Sequence, residues 1–343
     1  MRRLAYLAFA LAGCGPTRET SPPVAPSRSA ASAAAAPSAP VPPGAASASA
    51  PAPAVPAPVT AAHPSKTFPP PDIAPPFPRS THDGDGKWVP YPEGSPFAKT
   101  VIHPHEASRF IAVILVAIDL EAVRIGYMPG TDDLGGKKVP FAPGLVPAAE
   151  RQRLLAVFNG GFQPRHGRWG MKLGESTILP PRDEGCTLAL YADGGVRLRS
   201  WPALADSAPA IHAFRQTPPC LVENGEVHRD LLAGRDKAWK GNTNDIVTRR
   251  RSAVGLDEKG SLLFFAIGTE ASPRLLGEAL RFSGAHHAAQ LDINWNWTRF
   301  LSYERDRDDK LRVSASLVEG EYAKSGYFER PSDRDFFYVL RRE

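Results

Sequence analysis

Short apolar segments separated by Asp-Gly turns constrain the fold of this chain more than any other feature. Thr187–Tyr191 and Val196–Arg199 flank Asp193-Gly194-Gly195, and Ser252–Leu256 and Ser261–Ile267 flank a turn that ends in Gly260. Turns of this composition join neighbouring strands into antiparallel hairpins. The sequence therefore predicts at least two hairpins in its second half.

Further strands and one helix complete the pattern. Two strands are predicted within Arg109–Tyr127 around a turn near Asp119, and a closing strand at Phe336–Leu340. A helix is predicted over Pro273–Phe282, with Ser272 as its N-cap. Because crossover helices are scarce, the pattern favours an α+β fold that is strand-rich, with mostly antiparallel or mixed sheets and a few packed helices.

The first residues have the pattern of an export signal. Met1-Arg2-Arg3 precedes an apolar run that is too short to cross a bilayer, and Leu11-Ala12-Gly13-Cys14 matches the bacterial lipoprotein box. We expect a lipoprotein signal peptide over residues 1–13 and lipidation of Cys14. The protein would then be anchored by lipid in the bacterial cell envelope, with Gly15 favouring the outer membrane, on its periplasmic or surface side. A plain secretory signal is the alternative.

Residues 14–80 are rich in Pro, Ala and Ser and contain few large apolar side chains. Such a segment buries too little surface to offset the entropy of ordering it, so a disordered tether is predicted. Residues 81–343 are long enough for one large domain with a substantial core.

The charge balance and the cysteines bear on possible partners and on cross-links. The net charge of +5 arises from 41 basic and 36 acidic residues that are well mixed, so no nucleic-acid partner is expected. Cys186 and Cys220 are either a disulfide or two buried thiols. No motif predicts a metal or a cofactor, and the oligomeric state is left open.

The segment Leu291–Thr298 carries an unusual set of polar residues. Read as a strand, it places Asp292 and Asn294 on one face and Trp295 on the other. A carboxylate beside amides and indoles suits a polar, ring-shaped ligand such as a sugar. The alternative is the solvated face of an antiparallel sheet.

Two other strand ends carry residues that suit ligand binding. The apolar strand Leu154–Phe158 ends at Asn159-Gly160-Gly161, where glycines let backbone N–H groups approach a ligand. Arg251 enters the strand that continues through Ser252, and its guanidinium could hold a phosphate or carboxylate. A tight turn and a solvated basic edge are the respective alternatives.

In this order, Asn159-Gly160-Gly161, Arg251-Ser252-Ala253 and Leu291-Asp292 resemble the phosphodiester glycosidase family, over about Leu154 to Phe300. The resemblance implies hydrolysis of a sugar-1-phosphodiester in a glycan or envelope polymer. That family usually has glycines and a serine after its Asp, where this chain has Ile293-Asn294-Trp295. A non-catalytic glycan-binding lipoprotein that has lost the activity is therefore the alternative.

The resemblance also suggests roles for individual residues. Asp292 would be the nucleophile or general base, Arg251 would clamp the phosphate, and Asn159 would orient the sugar or phosphate. Residues expected to contact substrate are, in addition, Gly160, Gly161, Ser252, Asn294, Trp295 and Glu270, the last as a possible second carboxylate.

Overall fold

The computed structural model describes residues 64–134, 141–240, 249–318 and 326–343. The predicted signal peptide, the predicted lipidation at Cys14 and the tether up to residue 63 lie outside these residues. Within the described part, no helix is long and apolar enough to cross a membrane. The described residues belong to one compact unit.

The strands of the described residues form three sheets, and each observed strand pair is antiparallel. The first sheet has eight strands in the spatial order β1 (Val89–Pro90), β2 (Phe97–Ile102), β3 (Val113–Asp119), β14 (Leu262–Gly268), β13 (Arg251–Leu256), β15 (His287–Ile293), β11 (Val222–Glu223) and β12 (Glu226–Val227).

The other two sheets have five strands each within the same described ranges. One has the order β7 (Ser176–Leu179), β6 (Met171–Leu173), β10 (Ile211–Thr217), β8 (Cys186–Tyr191) and β9 (Val196–Ser200). The other has the order β17 (Leu311–Ser316), β16 (Phe300–Arg305), β5 (Leu154–Asn159), β18 (Phe336–Arg341) and β4 (Val123–Met128).

Helices are few and short in the described chain. The α-helices are α1 (Arg229–Leu232) and α2 (Pro273–Phe282), and the 3₁₀ helices are Asp132–Leu134, Ala148–Arg153, Pro164–His166, Trp201–Ala203, Ala205–Ala210 and Lys237–Trp239. The Ser272 hydroxyl caps α2 by accepting a hydrogen bond from the Leu275 amide at 3.2 Å. Leu276 and Leu280 of α2 pack on the first sheet. The fold is α+β, as predicted.

Both predicted hairpins and the closing strand are present. β8 pairs with β9, β13 pairs with β14, and β18 lies between β5 and β4. The predicted strands on either side of Asp119 are also present, but they do not form a hairpin. β3 belongs to the first sheet and β4 to the third, so the turn at Asp119 carries the chain from one sheet to another.

The core joins the three sheets through aromatic rings and a disulfide. Phe158 of β5 lies 5.3 Å, between ring centroids, from Phe265 of β14 and 5.2 Å from Phe337 of β18. Cys186 and Cys220 form a disulfide, which decides the alternative that the sequence left open.

Residues on the tether side of the predicted boundary at residue 80 take part in the packing of the domain. Ile73 is buried in the core, and the Trp88 indole donates to the carbonyl of Pro71 at 3.1 Å. Ser80 is also buried, and its hydroxyl donates to the His105 carbonyl at 2.5 Å. The Pro-rich composition hid this packing because the few apolar side chains here are spaced among prolines.

Candidate functional site

Asp292 lies at the end of β15, where the regular strand breaks down. The pairing of β13 with β15 shifts register between Arg251 and Ala253, directly opposite this point. The strand ends at Ile293, and the Asn296 amide then donates to the Asn294 side-chain oxygen at 2.8 Å. The expectation that Leu291–Thr298 is one alternating strand is therefore wrong beyond Ile293, because an Asn-initiated turn replaces it.

The Asp292 carboxylate is buried and bound on both oxygens. Its Oδ2 lies 2.6 Å from the Arg334 guanidinium, and its Oδ1 accepts from the Ile293 amide at 2.9 Å. Burial raises the pKa of Asp292 above its ordinary value, and the nearby Arg334 offsets part of that rise. The group is thus a carboxyl whose proton affinity has been increased, a property that suits general acid–base chemistry.

Asn159 joins three segments around Asp292. Its side-chain amide donates to the Ser252 hydroxyl at 2.8 Å, and its side-chain oxygen accepts from the Arg299 amide at 3.0 Å. Ser252 in turn donates to the Asp292 carbonyl at 3.2 Å. Asn159, Ser252 and Asp292 are therefore joined in one hydrogen-bond network, in which the side chains of Asn159 and Ser252 bind other parts of the protein.

The glycines after Asn159 are required by a close approach within the protein. The Gly160 amide donates to the Asp335 carbonyl at 2.9 Å, and the Gly161 amide donates to the Asp335 carboxylate at 3.0 Å. A Cβ on Gly160 would lie 2.3 Å from that carboxylate. Both amides are engaged by Asp335, which differs from the expected role toward a sugar or phosphate.

Asp335 forms a fully buried ion pair with Arg215, a residue that the sequence argument missed. The Arg215 Nε lies 2.7 Å from the Asp335 carboxylate, which also accepts from the Tyr127 hydroxyl at 3.3 Å. Arg215 stands within β10, whose neighbouring residues are buried. A charged residue inside a buried strand was the signal that could have identified it, because such a charge needs a partner.

Asp133 adds a third buried carboxyl to this region. Its Oδ2 accepts from the Gly130 amide at 2.9 Å, and its Oδ1 has no hydrogen-bond partner among the described residues. Burial and the negative charge of Asp335 raise the pKa of Asp133 to about 7.

Arg251 is buried away from these carboxylates. Its Nη1 donates to the Trp239 carbonyl at 3.2 Å and lies 3.5 Å from the Gln290 side-chain oxygen. Burial lowers the pKa of Arg251 to about 10. No hydrogen bond or ion pair joins it to Asp292 in the described structure, so the arginine that contacts Asp292 is Arg334.

Arginines surround the two tryptophans of the turn after β15. The Arg250 guanidinium lies 4.8 Å from the Trp295 ring centroid, and the guanidinium groups of Arg299 and Arg334 lie 5.2 Å and 5.8 Å from that of Trp297. Trp295 itself is 49% exposed. Arginine faces and indole rings of this kind bind planar anions and sugar rings.

A cleft of about 250 Å³ opens beside this cluster. Its lining residues combine aromatic rings with positive charge and are Trp297, Arg299, Tyr327, Arg330, Pro331, Ser332 and Asp333. The Nε atoms of Arg299 and Arg334 are buried without a hydrogen-bond partner among the described residues. The cleft thus presents cations and an indole close to the Asp292–Arg334 pair.

Two predicted residues remain, Glu270 and Asn294. Glu270 is exposed and has a left-handed backbone conformation, with φ of 67°. Asn294 accepts hydrogen bonds within its own turn, from Asn296 and from the Thr298 hydroxyl. Over the described ranges, no cluster of His, Cys, Asp and Glu could hold a metal ion. The prediction that no metal or cofactor is used remains a prediction.

Comparison with known proteins gives distant structural likenesses only. No protein-family model matches the sequence, and neither does any curated protein. The catalytic domain of zebrafish N-acetylglucosamine-1-phosphodiester alpha-N-acetylglucosaminidase, auto-inhibited by its pro-peptide, is 14% identical with a TM-score of 0.43, over 74% of this chain and 86% of that one.

Two bacterial structures resemble the chain at a similar distance. A hypothetical protein from Synechocystis is 11% identical with a TM-score of 0.39, over 68% of this chain and 59% of that one. A putative exported protein from Burkholderia pseudomallei K96243 is 10% identical with a TM-score of 0.36, over 67% of this chain and 74% of that one. Values of this size describe a resemblance and do not assign a family.

Proposed function

We propose that this protein is a hydrolase that cleaves a sugar-1-phosphodiester in a glycan or envelope polymer. The observation that carries the proposal is the buried Asp292–Arg334 pair next to a cleft lined by arginines and an indole. A carboxyl group with a raised pKa, cations for a phosphate and an aromatic face for a sugar ring are the groups that this reaction needs.

The chemistry follows from the leaving group. Water attacks the anomeric carbon, the bond between that carbon and the phosphate oxygen breaks, and the phosphate leaves with the electron pair. Asp292, as general base, accepts the proton of the attacking water, or, as nucleophile, forms the glycosyl intermediate that water then hydrolyses. Phosphate is already a good leaving group, so stabilising its negative charge matters more than protonating it.

The arginines supply that stabilisation. Arg334 links the carboxylate to the cleft, since it contacts Asp292 directly and lies over the Trp297 ring that lines the cleft. Arg299 and Arg330 line the cleft and would bind the phosphate oxygens, the role that the family resemblance suggests for Arg251. Guanidinium groups suit this task because they bind phosphate in bidentate fashion.

Replacing Asp292 by Asn tests the assignment. We expect Asp292→Asn to lower kcat/KM for a sugar-1-phosphodiester model substrate by at least ~10²-fold, as is usual for loss of an acid–base group. Asp230→Asn, at an exposed carboxylate outside the site, is the matched control, and circular dichroism verifies that both variants fold. Full activity of Asp292→Asn would remove Asp292 from the reaction.

Glycan binding without catalysis is the second candidate, favoured by the exposed Trp295 ring stacked on Arg250. In that case the wild-type protein binds glycan phosphodiesters but does not hydrolyse them, and Trp295→Ala weakens the binding. Turnover by the wild-type protein that Asp292→Asn abolishes would exclude this candidate.

We also propose, from the sequence alone, that the protein is tethered in a bacterial envelope through a lipid on Cys14. Metabolic labelling with a tagged fatty acid tests this, because Cys14→Ser should abolish incorporation and release the protein from the membrane fraction. Labelling that persists in Cys14→Ser would contradict it.

A further inference from the structure

A second cavity, of about 540 Å³, lies between the β8–β9 hairpin, the neighbouring 3₁₀ helices and the turn that joins β13 to β14. Its lining shares no residue with the Trp297 cleft or with the contacts of Asp292. Its lining includes His287, the basic residues Arg197, Arg199 and Lys259, and the acids Asp193, Asp257 and Glu258. A cavity of this size is within the range of small-molecule sites.

His287 contributes a buried hydrogen-bond donor to this cavity. The residue is only 4% exposed, and its Nδ1 accepts from the Asn224 amide at 3.4 Å. Burial and the charge of Arg199 lower the pKa of His287 to about 4, so the ring is neutral at pH 7. With Nδ1 accepting, the proton is on Nε2, and that atom has no hydrogen-bond partner among the described residues.

An unpartnered buried N–H group is costly, because it has lost its water without gaining an acceptor. A ligand or an ordered water can supply the missing acceptor. His287 lies at the start of β15 and lines the cavity, which is therefore the place for that acceptor.

Positive charge lies beside this donor. Arg199 of β9 is half-buried, and no hydrogen bond or ion pair of its guanidinium occurs in the described parts of the chain. Of the three acids of the lining, Asp257 accepts from the Ser261 amide and hydroxyl at 2.8 Å and 2.9 Å, and Asp193 accepts from the Gly195 amide at 2.8 Å. The third, Glu258, is exposed. Among the described residues no hydrogen bond or ion pair joins these carboxylates to Arg199 or to His287 Nε2, so both donors are left for a ligand.

We propose that this cavity is a second ligand site, which binds a small molecule through a phosphate or carboxylate that accepts hydrogen bonds from His287 Nε2 and Arg199. The site is independent of the proposed hydrolytic site. Ligands of this class include sugar phosphates and sugar acids, whose hydroxyl groups would meet polar side chains of the lining such as Tyr191 and Ser207.

Nuclear magnetic resonance of the histidine rings in the full chain tests the proposal. The nine histidines are labelled with ¹⁵N, and inorganic phosphate or acetate is titrated at constant ionic strength. We expect a saturable shift of the His287 Nε2 resonance with at least one of the two anions. Stronger binding of phosphate would identify a phosphate ligand, and stronger binding of acetate a carboxylate ligand.

Two variants make the test specific. Arg199→Met should weaken the anion affinity roughly tenfold or more, as loss of a charge-assisted hydrogen bond usually does. His286→Asn, at the adjacent and more exposed histidine, should leave the affinity unchanged and confirms the resonance assignment. No saturable shift at His287 with either anion, or equal affinity in Arg199→Met and wild type, would overturn the proposal.

Discussion

Removing the Asp335 carboxylate should be among the most destabilising single changes in this protein. The side chains of Arg215 and Asp335 are 0% and 1% exposed, so neither charge can be solvated by water if its partner is lost. Burial alone would lower the pKa of Arg215, but Asp335 raises it above its ordinary value, and the guanidinium stays charged. In Asp335→Ala this charge remains in the core without a counter-ion.

The size of the destabilisation depends on the hydrogen bonds that Arg215 retains when Asp335 is removed. Breaking a buried ion pair by removing one partner typically costs ~3–5 kcal/mol. Arg215 still donates to the carbonyls of Trp169 and Gln216, at 3.1 Å and 2.8 Å, which solvate part of its charge. The Gly161 amide and the Tyr127 hydroxyl lose their acceptor at the same time. We therefore expect Asp335→Ala to lower the free energy of unfolding by about 3 kcal/mol or more.

Urea unfolding at pH 7, followed by tryptophan fluorescence, measures this loss. With an m-value of roughly 3 kcal/mol/M, the midpoint of Asp335→Ala should fall by on the order of 1 M. Adding Arg215→Met to this variant should cost less than Arg215→Met alone, because it removes the uncompensated charge. Asp230→Ala, which breaks an exposed pair with Arg235, is the control and should leave the midpoint almost unchanged. A midpoint for Asp335→Ala equal to that of the control, or strictly additive effects of the two core changes, would refute the reasoning.

Three further outcomes are expected. Since the pKa of Asp133 is raised to about 7 from near 4, its ionisation opposes folding, so its own contribution to stability should fall as pH rises between these values. Asp133→Asn should not show this loss, so its free energy of unfolding, measured with urea, should exceed that of wild type by up to ~4 kcal/mol at pH 8 but not at pH 4. The same difference at both pH values would contradict this. Replacing Cys186 and Cys220 by Ser should lower the free energy of unfolding by ~4 kcal/mol, because the disulfide closes a loop with a sequence separation of 34 residues. An unchanged urea midpoint would argue against this stabilising role. Gly160→Ala should lower the free energy of unfolding by ~1–3 kcal/mol, and with it the melting temperature, because the added Cβ clashes with Asp335. Melting at the wild-type temperature would disprove the close approach.

The elements that could be predicted from sequence have signals that are local in the chain. The turn at Asp193-Gly194-Gly195 determines a hairpin, and Ser272 followed by Pro273 determines the start of a helix. In both cases the deciding hydrogen bonds and backbone angles lie within a few residues of the signal.

The turn after Ile293 was mistaken for a strand because its tryptophans and asparagines alternate as strand residues do. The signal against a strand was Asn294, whose side chain binds the backbone two residues later and so favours a turn. The consequence for the site is direct, since this turn brings Trp297 to the cleft and leaves Trp295 exposed.

The ion pairs of the site could not be predicted, because their partners are distant in sequence. Arg215 and Asp335 are 120 residues apart, and Asp292 and Arg334 are 42 apart. Arg334 could have been read as a surface residue, and the strand that contains Arg215 signals a buried charge without naming its partner. Arg251 belongs to the Arg251-Ser252-Ala253 motif, which suggested phosphate binding, yet its side chain binds the Trp239 carbonyl in the core.

The dipeptide Arg334-Asp335, which carries no recognisable motif, connects the two motifs that suggested a function. Phe336 of β18 pairs with Asn159 of β5, and this register places Asp335 beside Gly160. Arg334, the preceding residue, binds Asp292, whose amide donates to the Gly160 carbonyl at 3.1 Å. A displacement of β18 would therefore move the counter-ion of Asp292 and the glycine turn together. The geometry around Asp292 thus depends on strand pairing in the third sheet as much as on β15, which carries the carboxylate itself.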